Sequence, residues 1–304
     1  NQAVIKAIEE QARELAYAAP GFATTIRAEL SKLLLEVLPK GLEKFYFSTS
    51  GTEANEAAIK IIRKKKGPDK KIFSLTNSFH GRTYGAVTLT AKSKYQSGFE
   101  PLLPNISYIN FNDLKDLKEK IDQNTAAIFI EFIQGEGGIN FVSHDFAMLL
   151  NELKEKFDFL LVADEIQAGI GRTGKAFSVF HFEVKPDIIT SAKAIGGGLP
   201  LGAVLSQSEL DNIFEIGKHG TTFGGNPVSC AAGKIVLEEV FENGLMEKTK
   251  KSGEYLIGQL KELQKLFPGL IKDVRGKGLM IGIEFNIECT QIVEKMRERK
   301  VLTN

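Results

Sequence analysis

Apolar residues at Val4, Ile5, Ile8 and Leu15, with charges between them, recur at the spacing that lines one face of a helix over residues 3–16. Residues 26–38 repeat that spacing and predict a second helix. The pattern then changes. Phe45-Tyr46-Phe47 reads as a short aromatic strand that passes through Ser48-Thr49-Ser50-Gly51-Thr52 into a strongly helical stretch over 53–65. Beyond Gly67-Pro68 come strand-length apolar runs over 71–75, 106–109, 126–130, 159–163 and 187–190, with helical patterns over 114–121 and 146–157. Runs that are apolar on both faces predict buried strands of a largely parallel sheet covered by helices on both sides. Two long helices follow, over 227–241 and 245–266, and residues 274–285 read as a hairpin-like strand pair. The expected architecture is α/β: a large unit over 1–243 and part of a smaller α/β unit over 244–304. No repeat or low-complexity segment interrupts it.

Composition narrows the function classes. The 304 residues suggest about two domains at roughly 150 residues each, large enough to bury a core without disulfides or metals. With 39 Lys+Arg against 38 Asp+Glu, a net charge of +1 carries no electrostatic footprint for nucleic acid or an anionic membrane. The basic run Arg63 to Lys66 reads as a solvated helix end. Cys230 and Cys289 are too few and too far apart for a disulfide framework or a paired metal site, which fits a reducing cytosol. The apolar runs are strand-sized, short of the roughly 20 residues a bilayer span needs, and no basic segment leads into an apolar one at the N-terminus. A cytoplasmic protein is expected. Asn1 is not a natural start, and 301–304 stop in what reads as mid-strand or mid-turn, so residues are expected to be missing at one or both ends.

Three segments carry chemistry. Ser50-Gly51-Thr52 stands at a helix N-terminus, where unpaired amides and the helix dipole suit a phosphate; the bland alternative is a Ser/Thr cap with Glu53 complementing the dipole. The spacing is not that of a P-loop. The apolar run 159–163 ends abruptly in Asp164-Glu165-Ile166-Gln167, and ligands in open α/β sheets bind beyond the carboxyl ends of strands. A carboxylate held there needs a cationic partner. A metal is one candidate, although no His or further carboxylate lies nearby in sequence to complete a hard-ligand shell; a protonated pyridine nitrogen is another. The run 187–190 leads to Lys193 and then Gly196-Gly197-Gly198. A lysine at a strand's carboxyl end can form a Schiff base with an aldehyde, where a random lysine would be a surface residue. Phe79 can stack on a planar heterocycle, Arg82 can hold a carboxylate and Thr222 can donate to a phosphate. His80 and His219 read as capping or loop-ordering residues.

In their order, these segments resemble the class III aminotransferases, pyridoxal-phosphate enzymes of fold type I. The matching stretches are S-G-T-E-A-N-E-A-A-I-K from Ser50, F-H-G-R-T from Phe79, K-Y-Q-S-G-F-E-P-L-L-P from Lys94, I-E-F-I-Q-G-E-G-G-I from Ile130, D-E-I-Q-A-G-I-G-R-T-G-K from Asp164, K-P-D-I-I-T-S-A-K from Lys185, H-G-T-T-F-G-G-N-P from His219 and V-R-G-K-G-L-M-I-G from Val274. They run essentially from end to end.

The resemblance implies Lys193 as the lysine that carries the cofactor and moves the proton, and Asp164 as the partner of the pyridinium nitrogen. It puts Gln167 near the phenolic oxygen, Phe79 against the ring, Ser50, Gly51 and Thr52 on the phosphate, and Glu165 and Ile166 in the cofactor site. Thr222 would reach the phosphate in the neighbouring subunit, making a homodimer the functional unit. Arg82, Glu136 and Thr221 would bind substrate, Glu136 as a switch that lets one site take both an ω-amino donor and 2-oxoglutarate. No metal is implied. N-acetylornithine is the favoured donor; ornithine, 4-aminobutyrate or a carrier-linked lysine, an aminomutase or racemase, and a catalytically silent relative are the alternatives. Phe132 stands where the family has proline, Thr49 where asparagine is common and Ala168 where threonine is frequent, departures that bear on the donor more than on the cofactor.

Overall fold

The computed structural model describes residues 1–303. Along the chain lie α1 (Gln2–Glu14), α2 (Thr25–Val37), β1 (Leu42–Ser48), α3 (Gly51–Lys66), β2 (Lys71–Leu75), the short α4 (Tyr84–Leu89) and α5 (Ser93–Gln96), β3 (Ile106–Ile109), α6 (Leu114–Lys120) and β4 (Thr125–Ile130). Two-residue strands β5 (Ile133–Gln134) and β6 (Asn140–Phe141) precede α7 (His144–Phe157), β7 (Leu160–Asp164), β8 (Ile188–Ser191) and β9 (Gly202–Gln207). The chain continues with α8 (Pro227–Phe241), α9 (Leu245–Leu266), β10 (Ile271–Lys277), β11 (Met280–Phe285) and α10 (Thr290–Glu298).

Seven strands form one sheet in the order β1-β9-β8-β7-β4-β2-β3. β2, β3, β4, β7 and β8 are mutually parallel, and β9 runs antiparallel to both β8 and β1. Alternate residues of the same strands enter two different cores. Ile128, Ile130, Leu161 and Ala163 join one, with α2, α7 and α8 residues; Ala127, Phe129, Leu160 and Val162 join the other, with Ala54, Ala58 and Ile62 of α3. The period-2 alternation of strand side chains splits each apolar run between the two faces, which is why the runs have no polar positions. The predicted helix-covered parallel sheet is therefore the fold observed.

The structure adds what the pattern missed. The run G-A-V-L-S-Q is β9, the single antiparallel member, and 84–89, 93–96 and 290–298 are short helices. Arg63 is not part of a solvated run: its guanidinium reaches the carbonyls of Pro68, Pro104 and Asn105, tying the end of α3 to the start of β3. Lys66 pairs with Asp158 at 2.8 Å. β10 and β11 form a two-stranded sheet of their own, with α9 packed on it. Residues 301–303 carry no regular element, and Asn304, the last of the residues expected to stop in a strand or turn, lies outside the described residues. Among the described residues no helix is long and apolar enough to cross a membrane.

Candidate active site

The loop from β1 into α3 is fixed by a reciprocal cap. Ser50 Oγ accepts from the Glu53 amide at 3.3 Å, while Glu53 reaches back to accept from the Thr49 amide and hydroxyl at 2.7 and 2.6 Å. The capping reading of Ser50 and Glu53 holds, and the amides of Gly51 and Thr52 are left without intrahelical acceptors at the positive end of α3. β7 and β8 are adjacent and parallel, with Asp164 opposite Thr190. Parallel register brings their carboxyl ends to the same edge of the sheet, so Asp164 and Lys193, just past the end of β8, face one space.

That space is a cavity of about 610 Å³ lined by Ser50, Gly51, Thr52, Phe79, Asp164, Ile166, Gln167, Lys193 and Glu136 among others. Lys193 sits in a turn with φ +52°, a left-handed conformation that a non-glycine residue holds only when its surroundings impose it. A Cβ on Gly51 would meet three Ile166 side-chain atoms at 2.7–2.9 Å, so only glycine lets Ile166 lie this close to the helix N-terminus. At the other side a Cβ on Gly135 would fall 1.2 Å from Gln167 Oε1. An amide-rich helix end, a flat apolar wall, an aromatic ring, a buried carboxylate and a free amine form a donor set that fits a phosphorylated pyridine aldehyde.

The carboxylate is elaborately held. Asp164 is buried, and its Oδ2 accepts from His80 Nδ1 at 2.7 Å and Asn55 Nδ2 at 2.8 Å, its Oδ1 from the Ile166 amide at 3.1 Å. Asn55 Nδ2 also donates to the His80 carbonyl at 2.7 Å, locking the two partners together. Burial disfavours charge on the His80 ring, but its bond to Asp164 and the charges of Asp164 and Glu131 outweigh that and raise its pKa above the ordinary range. His80 is thus more than a loop-ordering residue. Glu131, also on the cavity wall, accepts from the Phe79 amide at 2.9 Å and the Gly135 amide at 3.3 Å. Burial pushes its carboxyl up to about 7, with His80 opposing and Asp164 adding.

Four expected site residues lie elsewhere. Glu165 turns away from the cavity: successive side chains at a strand end point to opposite faces, and its carboxylate accepts from the Ser178 amide and hydroxyl and the Val179 amide, each at 2.7 Å. Arg82 is exposed, its guanidinium 5.1 Å from the Tyr95 ring centroid, and Tyr95 meets Phe79 edge-on at 5.4 Å. Thr221 and Thr222 stand outside the cavity lining, Thr221 Oγ1 accepting from the Gly224 amide at 3.2 Å and Thr222 exposed. His219 orders its loop as expected, with Nδ1 2.8 Å from Lys60 Nζ and the ring against Tyr46 and Phe214.

Sequence reasoning missed Asn55 and Glu131. Each had a signal: Asn55 is a polar residue on the otherwise apolar buried face of α3, and Glu131 follows the apolar run of β4 as Asp164 ends that of β7.

Residues 1–304 match the sequence profile of the family described as aminotransferase class-III. The acetylornithine aminotransferase of Aquifex aeolicus (strain VF5) is 43% identical over 304 residues, covering 98% of this chain and 78% of that protein. The crystal structure of the ornithine aminotransferase from Toxoplasma gondii ME49 superposes with a TM-score of 0.94 at 30% identity, over all of this chain and 75% of that one. The taurine:2-oxoglutarate aminotransferase from Bifidobacterium kashiwanohense, solved in complex with PLP and glutamate, gives 0.92 at 25% identity over all of this chain and 77% of that one.

Proposed function

The chain belongs to the class III aminotransferases, and from that premise we propose that it moves the amino group of N-acetylornithine to 2-oxoglutarate, giving N-acetylglutamate semialdehyde and glutamate in arginine biosynthesis. Its cofactor is pyridoxal 5′-phosphate. The observation that carries the proposal is the meeting of Lys193 and Asp164 in one cavity at the carboxyl ends of adjacent parallel strands. The acetylornithine donor is supported by relatives of that name at 38–43% identity.

When bound, the cofactor supplies an aldehyde and an electron-withdrawing ring. Asp164, whose oxygens accept from three donors, would pair with the ring nitrogen. Asn55 and His80 orient that carboxylate. The amides and hydroxyls of 50–52 would hold the phosphate, Ile166 and Phe79 would lie against the ring, and Gln167 would stand near the phenolic oxygen. Lys193 would carry the cofactor's aldehyde carbon, and its Nζ would be the group that moves the proton. Glu136, on the cavity wall, would face the donor, and Arg82 would bind a substrate carboxylate.

In this reading the enzyme works in the cytoplasm as a homodimer, with exposed Thr222 of one subunit reaching the phosphate in the other. The chain divides near residue 243 into a large cofactor-binding unit and part of a smaller one. Side-by-side assays with N-acetylornithine, ornithine and 4-aminobutyrate, each with 2-oxoglutarate, test the donor. The highest kcat/KM is expected for N-acetylornithine, and a higher value for either of the others would overturn the assignment.

A further inference from the structure

Glu136 sits at the tip of the β5–β6 hairpin, where the Gly138 amide donates to the Gly135 carbonyl at 3.1 Å and side chains hold most of the other backbone groups. The Gly135 amide donates to Glu131, the Glu136 carbonyl accepts from Lys92 Nζ, and the Gly137 carbonyl accepts from Asn140 Nδ2 at 2.8 Å. The last anchor comes from another sheet. Arg275 of β10 directs Nε and Nη2 to the Gly138 carbonyl at 2.9 and 2.7 Å, while its Nη1 bonds Asp273 and Glu284, both at 2.7 Å. Glu284 is on β11, so one guanidinium ties both strands of the β10–β11 hairpin to the loop that carries Glu136.

Packing repeats the connection. Gly282 of β11 passes beneath Ile139, where an added Cβ would lie 3.0 Å from Ile139 Cγ1, and Met280 joins Ile133 and Ala168 in a small core with Ile139 and Phe141 against it. Ile139 itself holds φ +55° and Gly138 φ +107°. Gly138 takes its positive φ without penalty, but the β-branched Ile139 is strained there, and that conformation persists only if something outside holds it. The planar guanidinium does so with donors on two edges at once, which the single ammonium of lysine cannot reproduce.

We propose that Arg275 is a positioning residue for donor selection: through the Gly138 carbonyl it sets where the Glu136 carboxylate stands in the cavity, and so couples the β10–β11 hairpin to the choice between ω-amino and α-amino donors. The inference rests on the reading of Glu136 as the donor-facing carboxylate.

The test uses the holoenzyme for kinetics and the cofactor-free protein for hydrogen exchange. Arg275→Ala should speed amide exchange over 135–139 by about tenfold and change the ratio of kcat/KM for N-acetylornithine over glutamate by about tenfold, equivalent to about 1.4 kcal/mol. Arg275→Lys, which keeps the charge and is the milder perturbation, should move both in the same direction by less. Glu136→Gln should change the donor ratio by itself, and adding Arg275→Ala to it should change the ratio no further. Unaltered exchange over 135–139, or an Arg275 effect that persists in full without the Glu136 carboxylate, would overturn the coupling. A donor ratio indifferent to Glu136→Gln would instead sink the reading of Glu136 beneath it.

Discussion

Replacing Glu165 with alanine separates a carboxylate that holds the 178–179 turn from Asp164, the one beside it that lines the cavity. Its oxygens are the acceptors for the Ser178 and Val179 amides and the Ser178 hydroxyl, and the residue is 1% exposed. Truncation strands all three donors; at about 1–3 kcal/mol for each buried donor left unpaired, the two amides alone amount to about 2–6 kcal/mol. The loss carries a pH signature. Burial pushes the Glu165 carboxyl up to about 7 from 4.5, against the pull of its donors. The folded state therefore binds that proton more firmly than the unfolded state, so the stability it contributes is complete below pH 4.5 and drains away as pH rises through about 7. At about 1.4 kcal/mol per pH unit the whole span is worth about 3 kcal/mol. Glu131, also pushed to about 7, titrates in both proteins and cancels in the comparison. Urea unfolding of cofactor-free protein should thus show Glu165→Ala costing more at about pH 5 than at about pH 8, by up to about 3 kcal/mol. The folded fraction should still take up cofactor. A variant as stable as its parent at both pH values but unable to bind cofactor would refute the assignment of Glu165 to the 178–179 turn.

Lys193→Ala should remove the visible absorption band of the bound cofactor while leaving the far-ultraviolet circular dichroism unchanged; a band that survives at its original wavelength would contradict the role of the amine. His80→Leu takes one of two donors from Asp164 Oδ2, and since a hydrogen bond to a charged group is worth about 1.5–3 kcal/mol, kcat/KM should drop about 10- to 100-fold. Activity within twofold of the parent would mean that Asn55 alone suffices. Gly51→Ala drives a Cβ into Ile166 at the phosphate end of the cavity, an overpacking cost of about 1–3 kcal/mol that should appear mainly in cofactor affinity measured by equilibrium titration. Equal affinity would show that Ile166 moves aside freely.

The elements that build the site were legible in local pattern. An aromatic strand meeting small residues and a helix defines the 50–52 corner, and two apolar runs that end in Asp164 and shortly before Lys193 mark neighbouring strand ends, because a charge that ends a buried run needs a partner there. Local pattern also gave Glu165 the same standing as Asp164, and it hid β9, whose six residues carry no turn signal to distinguish their antiparallel direction. Which of two adjacent carboxylates faces the cavity depends on the pleat of the strand end and on the donors waiting on each side. Tertiary structure alone brings Asn55 and His80, 109 and 84 residues away in sequence, onto Asp164, and joins Arg275 to a loop 137 residues earlier. Contacts of that span arise when separate helices and strands settle against one sheet, and no periodicity along the chain encodes which polar side chains will then meet.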